Sequence, residues 1–88
     1  MAIWGADVQQ LKELGSKLQA GASEIETQKS NLNKALHSTD WKGPDADKFR
    51  GEWDSNHMTQ LSKVADALKE AGQKARQNAD QQDQTSHQ

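Results

Sequence analysis

Between Val8 and Leu36 apolar residues return at steps of three and four, and no proline interrupts them. That spacing follows one face of a helix. Counted in heptads from Val8, one seam position holds Leu11, Leu18, Ile25 and Leu32, and the other holds Val8, Gly15, Ala22, Lys29 and Leu36. Asp7, with Gln10 three residues later, reads as a helix start of capping-box type. The pattern predicts one long helix over about residues 7–38, close to 50 Å at about 1.5 Å per residue. Gly15 and Gly21 would each weaken it by about 1 kcal/mol relative to alanine. Two readings of Gly15 stand side by side. It is tolerated on an exposed face, or it marks a tight helix crossing that the small Ala22 would also permit.

The run stops at "STDWKGP", which begins at Ser38. Gly43 can cap, and Pro44 suits a first helical position because its missing N–H would have no partner there. Asp45 and Asp47 fall in the next first turn, where negative charge complements the helix dipole. The turn is expected at residues 39–43 and a second helix over about residues 44–78. Its apolar positions are Ala46, Phe49, Trp53, Met58, Leu61, Val64, Ala65, Leu68, Ala71 and Ala75, with a shift of the stripe between Trp53 and Leu61. Gly72 is a possible early stop. From Asn78, "NADQQDQTSHQ" is polar and of low complexity, and residues 79–88 are expected to form a frayed or flexible tail, with helix allowed at its start.

Two helices of similar length with a short connection make an antiparallel hairpin. The fold class is therefore all-α, with residues 1–78 as the hairpin. The chain has 88 residues, 32% of them hydrophobic, and a mean hydropathy of -1.10. So small and polar a chain cannot build a large core by itself. Two helices share only one interface, whereas each needs a broad apolar face covered. Dimerisation into a four-helix bundle is the expected solution. The residues expected at the hairpin or dimer interface are Val8, Leu11, Gly15, Leu18, Ala22, Ile25, Leu32, Leu36, Ala46, Phe49, Trp53, Leu61, Val64 and Leu68.

The same sequence argues against several functions. Net charge is -2 with dispersed lysines and arginines, which leaves no footprint for nucleic acid or an anionic membrane. There is no cysteine, so thiolate metal sites and disulfides are excluded. His37, His57 and His87 lie too far apart in sequence to share one helical face as ligands, so no metal and no other cofactor is expected. His37 suits a helix C-terminus. Asp45, Asp47, Glu52 and Asp54 sit on a helix with no cleft to desolvate a catalytic carboxylate, and no phosphate loop or nucleophile elbow occurs. No enzyme is expected. No apolar run approaches a membrane span, the mixed polar face does not suit a membrane-active helix, and "MAIWGADVQQ" lacks the features of a secretory signal peptide.

Trp41 is the residue these local rules do not require. It plugs the end of the bundle against Leu36 and Phe49, or stays partly exposed as a recognition anchor. Trp53 belongs to the helical stripe. Trp4 precedes the first helix, as a hydrophobic staple or packed on a partner.

A short chain with two long helices joined by Trp41-Lys42-Gly43 resembles the WXG family, the small substrates of type VII (ESX) secretion that include the early secretory antigenic target. "GPDADKFRGEW" is similar to actinobacterial members, in which a small residue and an aromatic follow on the second helix, here Ala46 and Phe49. The likeness covers about residues 7–78. It implies a helical hairpin that pairs with its own kind or with another WXG-type chain, as homodimer or heterodimer. It implies recognition by the type VII secretion ATPase and export of the folded dimer from the cytoplasm to the envelope or exterior without a signal peptide. Trp41 and Gly43 would form half of the export signal. In the family the other half is a Tyr-x-x-x-Asp/Glu motif in a C-terminal tail. This chain has no tyrosine, so a partner supplies it, or the tail works differently, or the chain is not itself exported. A targeting chaperone or adaptor for a larger effector, and an intracellular structural coiled coil, are the alternative functions.

Overall fold

In the computed structural model, which describes residues 7–86, the chain is an all-α antiparallel hairpin. The first arm is α1, Val8–Ser38. The second arm runs without a break through α2, Pro44–Glu52, a π-helical turn, Trp53–His57, and α3, Met58–Ser86. The rod measures 65 × 18 × 13 Å.

The helix starts follow from their capping residues. Asp7 has an extended backbone, and its Oδ1 accepts from the Gln10 N–H at 2.9 Å. Gly43 caps α2 with φ 123° and ψ 175°, a conformation open in practice only to glycine. Pro44 then opens α2, with Asp45 and Asp47 in its first turn. The second arm outlasts its expected end near residue 78, because α3 continues to Ser86. No glycine or proline follows Gly72, alanine and glutamine sustain a helix, and Ala79 is fully buried. Gly72, a possible stop, lies in mid-helix instead. Trp4 and His87 lie outside the described residues.

The contact between the arms is made of small residues. Gly15 and Gly72 face each other so closely that a Cβ on either would lie 3.0 Å from the other's carbonyl oxygen. Ala22, Ala46, Ala65, Ala75 and Ala79 are buried, and Trp53 is the one large side chain that joins them among the described residues. Of the two heptad seams in α1, the one holding Gly15 and Ala22 is therefore the line of contact. The leucine seam lies to one side of it. Leu11, Leu18 and Ile25 are half-buried, and Leu32 is 48% exposed. In place of Leu32, Asn33 reaches the second arm, where its Oδ1 accepts from Trp53 Nε1 at 3.1 Å.

The stripe shift between Trp53 and Leu61 is taken up by the π turn. The Met58 N–H bonds to the Trp53 carbonyl, five residues back. Ser55 Oγ donates to the Gly51 carbonyl at 2.7 Å, so that oxygen keeps a partner where the helical ladder widens. Five residues thus cover the angle that four cover in an α-helix, and Trp53 and Met58 stay on the same side.

Candidate functional site: the Trp41 turn and one apolar flank

The turn is fastened mainly by Arg50, one helical turn past the buried Ala46. Its Nε donates to the Leu36 carbonyl at 3.2 Å, Nη2 to that of Thr39 at 3.0 Å, and Nη1 to that of Trp41 at 2.7 Å. The chain reverses at Asp40, with the Trp41 N–H bonded to the Thr39 carbonyl at 2.9 Å. Thr39 also closes α1: its N–H and its Oγ1 both reach the Ala35 carbonyl, at 3.0 and 2.6 Å. His37 lies in the last turn of α1, as its dipole favours.

Trp41 stands on this base. Its ring centroid is 6.2 Å from that of Phe49 and 5.9 Å from Arg50 Cζ. The ring remains 40% exposed. It rests on Phe49 without being sealed in. Phe49 in turn lies 6.2 Å from the His57 ring. The three rings form a line from the tip of the hairpin onto its side.

That line continues into an apolar flank. On each arm, residues three after or one before the contact-line positions fall to the same side. On α1 these are Leu14, Leu18, Ile25 and Leu32, and on the second arm Phe49, Leu61, Val64 and Leu68. Antiparallel pairing brings the two sets together: a Cβ on Gly21 would lie 3.7 Å from Leu68 Cδ1. Leu14, Leu32 and Val64 are each 48% exposed and Phe49 is 39% exposed. Of the residues expected at an interface, Leu32, Phe49 and Val64 thus lie outside the closest hairpin contact.

The opposite flank is polar. Lys29 Nζ donates to Ser62 Oγ at 2.6 Å and pairs with Glu26 at 3.0 Å. Arg76 Nη2 donates to Ser16 Oγ at 3.3 Å, beside an open groove lined by Lys12, Ser16, Arg76 and Asp80. The hairpin is thus two-sided, with hydrogen-bonded side chains on one flank and large apolar ones on the other.

Among the described residues, no cluster of three or more His, Cys, Asp or Glu side chains could hold a metal ion, and no helix is long and apolar enough to cross a membrane. Asp45, Asp47 and Asp54 are exposed along α2 and the π turn. Arg50 was not singled out by sequence reasoning. Its signal, a basic residue one turn beyond a buried alanine, is too common to be read without the turn's carbonyls in view. No family model, curated protein or solved structure matches the chain.

Proposed function

We propose that this chain is a small non-enzymatic substrate, or co-secreted partner, of a type VII secretion system, and that it works as one half of a four-helix bundle. The observation that carries the proposal is a Trp-x-Gly turn at the tip of an antiparallel hairpin, with Trp41 40% exposed on a fastened base. An exposed tryptophan held in place is an efficient anchor, since it gives a large contact area with little left to order.

The bundle half of the proposal rests on what the hairpin leaves uncovered. A contact built of glycine and alanine removes little apolar area, and burial stabilises by only about 25 cal/mol per Å². The accessible surface is 6693 Å², against about 5,100 Å² for a compact monomer of this mass. The difference, about 1,600 Å², is roughly twice the ~800 Å² that one partner contributes to a standard interface. A second helical hairpin with the same kind of flank, from another copy or from another WXG-type chain, suits this face. The absence of tyrosine favours a heterodimer with a tyrosine-bearing partner. The type VII ATPase is the proposed reader of Trp41 and Gly43.

The test is export from a host with a working type VII system. Wild-type chain should reach the medium or envelope, and Trp41→Ala should stay in the cytoplasm as a folded dimer. Retention of the wild type in the cytosol of such a host would sink the export reading. Co-purification there with a larger effector would point to the adaptor role instead.

A further inference from the structure

We infer that Arg50 is a positioning residue for Trp41: its guanidinium sets the shape of the Trp-x-Gly turn before any partner arrives. The inference rests on the export reading for its biological purpose but not for its geometry. Three nitrogens of one planar group bond three carbonyls, those of Leu36, Thr39 and Trp41, at 3.2, 3.0 and 2.7 Å. A rigid fork that meets three acceptors fixes their mutual distances, which a flexible ammonium group cannot do. The fork is itself anchored, because Ala46 on one side of Arg50 and Trp53 on the other are buried, and Trp53 Nε1 donates across to Asn33 Oδ1 of α1 at 3.1 Å. Rigidity in the hairpin contact is thereby transferred to a turn that otherwise packs little. Gly43 has nothing within 4 Å of where a Cβ would stand, and Lys42 and Asp40 are exposed. Arg50 also lies against the Trp41 ring, with Cζ 5.9 Å from its centroid. The same side chain thus holds both the backbone and the indole of the proposed anchor.

The charge at this point has a second effect. The Leu36 carbonyl belongs to the negative end of the α1 dipole, and a cation there is stabilising. Lysine at position 50 would keep that effect and lose the fork. Arg50→Lys therefore separates positioning from a general electrostatic role.

The experiment uses the full chain labelled with 5-fluorotryptophan, which gives one fluorine signal for each of its three tryptophans. Trp41→Phe assigns the Trp41 signal. In Arg50→Lys that signal should move toward its value in the unfolded chain and sharpen, while the Trp53 signal and the helical circular dichroism stay in place. Leu18→Ala, which lowers stability far from the turn, should leave the Trp41 signal unmoved. An unchanged Trp41 signal in Arg50→Lys, or an equal change in Leu18→Ala, overturns the inference. In a host that exports the wild type, Arg50→Lys should lower the exported fraction about tenfold if the competent turn falls to about one-tenth of its population. Wild-type export of a variant with a loosened turn would also overturn it. A host with a working type VII system that retains the wild type rejects the export reading alone, because the fluorine signal reports the turn without it.

Discussion

Gly43 shows how much one residue can decide. Its φ of 123° is the one positive value among the described residues, and the space around it is open. Gly43→Ala should therefore act through backbone strain alone, at about 1–3 kcal/mol. Urea denaturation should record that loss with the helical signal unchanged before the transition. At this scale the break between the arms was legible: Gly43, Pro44 and the Asp7 cap each carry a local rule that holds wherever they occur. Arg50 was not legible, because its role depends on carbonyls 9 to 14 positions earlier in the chain. The exchange of Leu32 for Asn33 at the contact was hidden for a related reason. A heptad count favours the apolar neighbour, and the polar one gains its place only through the Trp53 indole, which the sequence does not show to be opposite.

Within the arms, spacing foretold two long helices, and the structure has them. Which stripe of α1 would meet the second arm was less visible. Apolar periodicity marks the residues that avoid water without saying what covers them, and here the smallest ones determine how closely the backbones approach. Two glycines on the same helix should consequently behave in opposite ways. Gly21→Ala places its methyl at 3.7 Å from Leu68 Cδ1, an ordinary contact, and should stabilise the hairpin by up to about 1 kcal/mol through helix propensity. Gly15→Ala puts the same methyl 3.0 Å from the Gly72 carbonyl. Backbone cannot step aside as a side chain can, so overpacking of about 1–3 kcal/mol should exceed the propensity gain. Thermal melts of the two variants should move in opposite directions. Polar composition points to fraying after residue 78, with helix allowed only at the start of the tail, whereas α3 continues to Ser86, because alanine and glutamine are also helix formers and one buried Ala79 supports the extra turns.

For the molecule as a whole, the distribution of large and small side chains separates folding from association. Leu32 is 48% exposed in the hairpin, so Leu32→Asp should leave an isolated hairpin almost as helical as before. If the apolar flank is the bundle interface, the same change buries an unpaired charge there, and assembly should be lost. Sedimentation velocity at micromolar concentration should then give a dimer for the wild type, alone or with its partner, and a monomer for the variant. A compact and stable wild-type monomer would count against the bundle. The π turn bears on the length of the chain itself. Since five residues there span the angle of four, the second arm carries one residue that its packing does not require. Deletion of Asn56, exposed and outside the Ser55–Gly51 bond, should turn the segment into plain α-helix and leave Trp53 and Met58 still on one side of the arm, with the melting temperature nearly unchanged. Chains of this design could then differ in length by one at this point and superpose on either side of the gap.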